Sequence, residues 1–334
     1  MEGHDLTTDV WRIDAEAFPA EAPLAERARF LLRYAVLAPS SHNSQPWGFV
    51  VEDDTIEVHA VEERWLDVAD KDKRELYISL GCAVENLCIA AERFGLDFEI
   101  AYHDDTPPVV VRLQPDSDSS FDPQLDLFDQ ITERSTNHHP FRDEPLGEPV
   151  REELLTCVVE DDVTLEMIDG SGGKDSLAEL QAEADRLQMD DPDYRRELGH
   201  WIGIGALGSS WLKARIGQAV VTHLDIGGSE AKKNSKLIQS APVVGVLTTE
   251  SDAPSARVKT GQLFERVALS ATAEGVAVHP MSQILERPEM REELASLLDG
   301  DGSLPQHLFR LGYSQADQDH TPRWPLETFL ADQT

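Results

Sequence analysis

The chain has 334 residues, 40% hydrophobic and 28% charged, which is apolar material enough for one large core or two ordinary ones. Its 63 Asp and Glu against 29 Lys and Arg leave a formal charge of −34. That balance excludes a nucleic-acid binder working through a basic surface, since phosphate contacts need clustered cations, and it equally disfavours an anionic membrane as partner. The longest apolar stretch, APVVGVL at 241–247, is far short of the roughly 20 residues that span a bilayer. The opening MEGHDLTTDV is acidic, so no secretory leader is expected. Three cysteines, at 82, 88 and 157, form no C-x-x-C pair; neither a disulfide framework nor a zinc ribbon is expected, and the expected compartment is a reducing cytoplasm. Only eight of the cations are lysines, and the acid excess is spread along the chain. This reads as a halophilic surface that stays hydrated in concentrated salt, where self-repulsion is screened.

In chain order, a helix is expected over about 22–38, with Leu24, Ala28, Leu31, Leu32 and Ala35 at helical spacing and Pro39 ending it. Short strands follow at 48–51 and 56–60. A strongly periodic helix covers about 74–94 and stops at Gly95, and two more strands lie near 98–102 and 109–113. Residues 115–123, PDSDSSFDP, have linker composition. Helical stretches near 124–133 and 148–158 and an alternating strand at 163–168 come next. The region 174–235, polar and glycine-containing, reads as the least rigid part. A buried strand at 243–247, a helix at about 256–274, a strand at 276–278, a helix near 289–298 and a strand at 308–313 complete the chain. Leu87–Phe98 and Val267–Val278 echo one another as small-residue helix, stop glycine and strand, which suggests two related halves. Strands and helices mix irregularly, so the expected class is α+β.

Several motifs fail on context. Gly203-Ile204-Gly205-Ala206-Leu207-Gly208 has the G-x-G-x-x-G spacing, and Asp225 stands where a ribose-binding acid would. A polar helical stretch precedes it instead of a buried strand, so a glycine-rich loop is the better reading. The run at 170–175 has the wrong glycine spacing for a phosphate loop and an Asp where magnesium needs Ser or Thr. His138 and His139 are adjacent and lack partners at metal-ligand spacing, so they read as loop histidines or a phosphate contact. Cys82 and Cys88 read as core packing.

The informative segment is Ala38–Phe49, APSSHNSQPWGF. A helix exit with two prolines, dense in hydrogen-bonding groups and followed by an indole, suits either a planar heteroaromatic ligand or a well-capped turn over a buried Trp47. With its flanks, RYAVLAPSSHNSQPWGF resembles the FMN-binding signature of the nitroreductase family. Glu133–Phe141, ERSTNHHPF, is similar to the family's Arg-Ser phosphate-binding stretch. It follows the first motif by about ninety residues, as in the Acg-like branch, where two nitroreductase-like halves share one chain. Asp70–Leu87, His279–Glu286 and the closing stretch 309–330 resemble that branch too.

The resemblance implies an α+β, nitroreductase-like fold with an N-terminal extension (1–21), a first half (22–118) and a second half (119–334) carrying a mobile lid at about 174–235. It implies FMN as cofactor, hydride transfer from NAD(P)H through flavin N5 to a nitroaromatic or quinone, ping-pong kinetics, and a monomer or homodimer with no nucleic-acid or membrane partner. Flavin sequestration with little turnover is the alternative. Residue by residue, Ser40, Ser41, Asn43 and Gln45 would contact the isoalloxazine edge and ribityl chain. Arg134 and Ser135 would hold the phosphate with Asn137 nearby, Met281 and Ser282 would pass N5, and Arg323 would be a second phosphate cation. Where relatives carry further arginines after the Asn, this chain has His138 and His139, which would make phosphate affinity pH-dependent. No side-chain general acid or base is expected.

Overall fold

The computed structural model describes residues 6–115, 127–208, 217–222, 227–298, 302–314 and 319–331. Its first sheet contains β1 (Trp47–Glu52), β2 (Thr55–Ala60), β3 (Leu96–Tyr102) and β4 (Val109–Pro115), in the order β1-β2-β4-β3. The second contains β5 (Val163–Ile168), β6 (Val243–Thr249), β7 (Ala277–Pro280) and β8 (Leu304–Gly312), in the order β5-β6-β8-β7. Every neighbouring pair is antiparallel. Counted within its own sheet, each set of strands reads first, second, fourth, third. The α+β expectation holds, and so does the idea of two related halves.

The helices are α1 (Leu24–Ala35), α2 (Arg74–Arg93), α3 (Phe128–Glu133), α4 (Glu148–Thr156), α5 (Ser171–Asp190), α6 (Pro192–Gly203), α7 (Gly227–Gln239), α8 (Pro254–Ala273) and α9 (Pro288–Leu297). Two of them set the architecture. α2 joins β2 to β3 and α8 joins β6 to β7; both are 20 residues long and almost wholly buried. Each packs on its own sheet and they pack on one another, giving layers of sheet, helix, helix and sheet. Burial of Leu80, Val84 and Leu87 explains the strong apolar periodicity read from the sequence for α2, and Val258, Leu263 and Val267 are buried on α8.

At their crossing the two helices touch through backbone. A Cβ on Gly81 would lie 1.9 Å from the Val258 carbonyl oxygen, and one on Gly261 would lie 1.9 Å from the Ile78 carbonyl oxygen. These contacts are related by a constant step of 180 positions: 81 to 261 and 78 to 258. The stop glycines obey the same step, Gly95 and Gly275, each with φ +69°, so both helices end in the left-handed cap that glycine adopts without penalty. The echo in the sequence is thus a pseudo-two-fold relation in space.

Most boundaries fall within a few residues of expectation. β3, β7 and β8 differ most: β3 starts two residues earlier, β7 is Ala277–Pro280, and β8 begins at Leu304 because its N-terminal part pairs with Thr248 and Thr249 across a bulge. The linker beyond Pro115, residues 124–126 of the expected third helix, and Asp225 lie outside the described residues. The region expected to begin a cover at 174 is already inside α5, whose Leu177, Ala178 and Ala184 are buried. Gly203 ends α6, so no strand precedes the glycine spacing there. No described helix is long and apolar enough to cross a membrane.

Two additions to the sheets bring distant segments together. Phe329 accepts the Phe49 N–H at 2.8 Å and Phe49 accepts that of Ala331 at 3.0 Å, which docks the C-terminal tail on β1. Thr136 bridges Val278, which docks the 134–141 stretch on β7.

Alanine at Gly81 or Gly261 must push two backbones apart, and each change is expected to cost about 3 kcal/mol. Gly95→Ala meets open space and pays only for its left-handed backbone, about 1 kcal/mol. Urea unfolding of the three variants tests this; equal losses at all three positions would contradict the backbone-contact account.

Candidate functional site

A cavity of about 390 Å³ opens beside the helix crossing, a size suited to a small organic ligand. Four segments meet there: the loop 39–43 before β1, the first half of α2, the turn after β7, and Thr321 to Arg323 of the C-terminal tail. Side chains from α5, α6 and α7 cover it.

The loop Ser40–Gln45 is held in an unusual shape. His42, Asn43 and Gln45 have φ of 51°, 54° and 50°, a left-handed region that costs non-glycine residues of the order of 1 kcal/mol each. Hydrogen bonds maintain it. Ser40 Oγ accepts the Gln45 N–H at 2.9 Å, and Gln45 Oε1 accepts the Trp324 N–H at 3.0 Å. Asn43 Nδ2 donates to the carbonyls of Ala206 and Pro322, both at 2.8 Å. Asn43 Oδ1 is buried with no hydrogen-bond partner, a ready acceptor for a ligand N–H. Burial also pushes the His42 imidazole down to about 4, so it is neutral at pH 7.

Two buried guanidinium groups meet behind this loop. Arg134 Nη2 lies 3.5 Å and Arg323 Nη2 3.1 Å from the same acceptor, the Leu37 carbonyl oxygen. Arg323 Nη2 also donates to Ala38 O and its Nη1 to Thr321, while its ring-side neighbour Trp11 lies 5.0 Å away. A bridge from Thr7 fixes Arg323 from the N-terminal side. Glu265, fully buried, stands 3.3 Å from Arg134 Nε. Burial pushes the Glu265 carboxyl up to about 7 despite Arg134, and Glu85 adds to the rise. Burial, with repulsion from Arg134, brings Arg323 down to about 9. Two cations therefore face one carboxyl that is only partly ionised near neutrality, and the Nε of Arg323 is a buried donor without a hydrogen-bond partner. That surplus positive charge suits a dianion such as a phosphate ester.

The opposite wall is acidic. Ser41 Oγ donates to Glu75 Oε2 at 2.8 Å and Arg74 Nη1 to Glu75 Oε1 at 2.5 Å. Burial alone would raise the Glu75 carboxyl, but Arg74, His307 and Ser41 outweigh it and hold it well below the usual range. Asp70 accepts the N–H groups of Glu75 and Leu76, both at 2.9 Å, and so caps α2 from a distance. A third corner holds a chain of imidazoles. Arg310 Nε donates to His279 Nδ1 at 3.0 Å, and His279 Nε2 lies 3.1 Å from His138 Nδ1. Because arginine only donates, the remaining His279 proton sits on Nε2 and is directed at His138.

Of the residues expected at the site, Ser40, Ser41, Asn43, Met281, Ser282 and Arg323 line the cavity. Gln45, Arg134 and Asn137 are buried behind the wall, and Ser135 is half-buried off it. Asn137 caps its own loop, exchanging bonds with His139 at 3.0 and 3.2 Å. His138 faces the cavity. Cys82 is on the wall, yet its thiol donates to the Gly261 carbonyl and burial raises it well above its ordinary value, so it is packing and not a nucleophile. Sequence reasoning missed Glu75, Glu286 and His307. The one signal for Glu75 was an acidic residue in the first turn of a strongly periodic helix. Among the described residues no His, Cys, Asp and Glu cluster could hold a metal.

No family model matches the chain. It is 26% identical over 308 residues to a Mycobacterium tuberculosis protein carrying the provisional name NAD(P)H nitroreductase acg, covering 89% of this chain and 92% of that one. PigM of Serratia, with the same kind of provisional name, is 25% identical over 336 residues, covering 90% and 91%. The resemblance to Acg-like nitroreductases therefore runs along nine tenths of the chain. Solved structures with partial similarity include the FMN-dependent nitroreductase NfnB of Mycobacterium smegmatis (19% identity, 56% of this chain and 86% of that one, TM-score 0.38) and an NADPH:FMN oxidoreductase of Vibrio harveyi (12%, 62% and 77%, TM-score 0.42). No residue role is carried over from them.

Glu265 has a folded value of about 7 against 4.5 when free. Between those pH values the native state keeps a proton that the unfolded chain has lost, so stability falls as pH rises through the window and levels off above it. Asp70, pushed by burial from 3.8 to about 7, acts in the same direction. In flavin-free protein, Glu265→Gln is expected to make the decline between pH 4.5 and 7 shallower, read from urea midpoints; an unchanged slope would show that Glu265 is ionised throughout.

Proposed function

We propose that the chain is an FMN-dependent oxidoreductase that takes hydride from NAD(P)H and passes it to an electron-poor acceptor such as a nitroaromatic or quinone. The observation that carries this reading is the pair of buried arginines, Arg134 and Arg323, drawn to one carbonyl and facing a single partly ionised carboxyl. In a chain with a formal charge of −34, such a pocket of positive charge has little other use than holding an anion.

When bound, FMN would supply the redox chemistry by accepting a hydride and releasing it. The chain's own residues bind and orient it. Arg323, with Arg134 and Ser135 behind it, would hold the phosphate. Ser40, Ser41 and Asn43 would meet the ring edge and ribityl chain, with the unpartnered Asn43 Oδ1 accepting from a ring N–H. Gln45 acts through Asn43 and Trp324, fixing the loop instead of touching the ligand. Met281 and Ser282 would flank the reactive edge. The described part of 174–235 covers the cavity and would exclude water during transfer. In this reading the chain divides near residue 118 and acts in a salt-rich cytoplasm. The enzyme names carried by its relatives favour turnover over storage.

Arg323→Ala should weaken FMN binding about 30-fold, the loss of a charge-assisted hydrogen bond, and leave riboflavin, which has no phosphate, nearly unaffected. Equal losses for both ligands in fluorescence titrations would remove Arg323 from the phosphate site. Initial rates with NAD(P)H and a quinone varied together test turnover: parallel double-reciprocal lines are expected, because both substrates use one site, and intersecting lines contradict it.

A further inference from the structure

The cofactor reading leaves Glu286, on the cavity wall, without a task. Glu286 ends the 3-10 helix Ser282–Glu286 that follows β7. The part of its surface that remains open faces the cavity, and protein packs around the rest. Its hydrogen-bond donor is the neutral amide of Gln188 on α5. Nearby stand two other carboxyls, Glu75 and Asp70, and one cation, Arg74.

These charges do not balance if all three acids ionise. Arg74 donates directly to Glu75 and to the Gln306 carbonyl. Asp70 has two backbone donors. Glu286 has neither a cation of its own nor a backbone donor among the described residues, and it shares a corner of the cavity with an ionised Glu75. An acid so placed keeps its proton. Burial, reinforced by Glu75, accordingly holds Glu286 well above the ordinary range. Tyr194 of α6 also faces it, and Tyr194 in turn faces Asp185, Glu197 and Arg287. Of the other acids on this wall, Glu75 has already lost its proton, Asp185 has both oxygens occupied by the Gln181 and Asn234 amides, and burial holds the Tyr194 hydroxyl too firmly protonated to give one readily.

We propose that Glu286 is the proton donor to the electron-accepting substrate, delivering its carboxyl proton to the acceptor oxygen as the hydride arrives. The proposal rests on the oxidoreductase reading above. Reduction of a quinone to its hydroquinone takes one hydride and one proton. The hydride comes from NAD(P)H by way of the bound flavin. The Glu286 O–H bond breaks as the second quinone O–H bond forms, and the carboxylate left behind regains a proton from water when product leaves. Gln188 is the positioning residue, holding the carboxyl toward the cavity.

The test is a comparison of wild type with Glu286→Gln. In flavin-free protein at pH 9, above the values of about 7 for Glu265 and Asp70, infrared spectra should show a protonated carboxyl band that is lost in the variant. In stopped-flow measurements with FMN bound, reduction by NADPH and reoxidation by ferricyanide, which takes electrons without a proton, should be unchanged. Reoxidation by 1,4-benzoquinone should slow about 100-fold, the usual scale of general-acid catalysis, and lose its pH dependence. If Glu286→Gln does not fold, Glu286→Asp, which withdraws the same acid by one methylene, should slow the quinone step alone. A quinone step as fast in the variant as in wild type, or an unaltered carboxyl band, overturns the proposal. A wild type that binds no FMN, or whose flavin NADPH does not reduce, overturns the functional reading itself and the proposal with it.

Discussion

The closeness of α2 and α8 is the constraint on which the remaining structure depends. With Gly81 and Gly261 at the crossing, carbonyl oxygens of each helix occupy the space where the other would carry a Cβ. That approach locks two four-stranded sheets into one body and sets the depth of the cavity beside the crossing. The pseudo-two-fold relation also explains why the two sides differ. Cys82 and Ser282 line the cavity. The positions 180 residues from them are Gln262 and Tyr102, and there the Tyr102 hydroxyl donates to Gln262 Oε1 at 2.7 Å. A bonded aromatic side chain fills on one side the kind of space left open on the other.

The site is costly to hold, and the cost is met by contacts from far along the chain. Three non-glycine residues in left-handed conformation, two buried arginines and several buried carboxyls each oppose folding. The Asn43 bonds to Ala206 and Pro322 and the Gln45 bond to Trp324 tie the loop to segments up to 279 residues away, and the Thr7 bridge holds Arg323 beside it. α6 is fastened to the first half by Glu197, which accepts the N–H groups of Val68 and Ala69 at 3.1 and 3.0 Å. Such non-local ties are what allow a strained loop and unpaired donors to persist where a ligand is to be received.

Much of this was legible in the sequence, and the exceptions have physical causes. α2 was visible from its apolar periodicity and α8 from a long apolar run rich in small residues, and the stop glycines of both mark a conformation that only glycine enters freely. The relation between the halves was visible at Leu87–Phe98 and Val267–Val278 because each helix there closes on a left-handed glycine, Gly95 or Gly275, before a strand. The loop Ser40–Gln45 and Arg323 could be picked out by resemblance. Glu75, Glu286 and His307 could not, since a single polar residue has no periodic signature and acquires meaning only when Ser41 is brought beside Glu75 and Gln188 beside Glu286. The chain Arg310, His279, His138 joins residues far apart in the sequence. Adjacent histidines alone gave no hint that one would be directed at the cavity by an arginine on β8. Burial foremost lowers His138, so a pH dependence acting through it would fall below the ordinary imidazole range.

The account therefore has three parts in one cavity: a cationic corner for a phosphate, a polar loop for a planar ring, and an acidic wall that keeps one proton. Its central claim is that a flavin sits there and turns over. The most direct measurement is the visible absorption spectrum of the protein purified in high salt and supplied with FMN, recorded before and after anaerobic NAD(P)H. The account predicts a bound-flavin band at one equivalent per chain that bleaches within the mixing time and returns on adding a quinone. A protein that takes up no FMN, or holds a band that NAD(P)H leaves untouched, contradicts it.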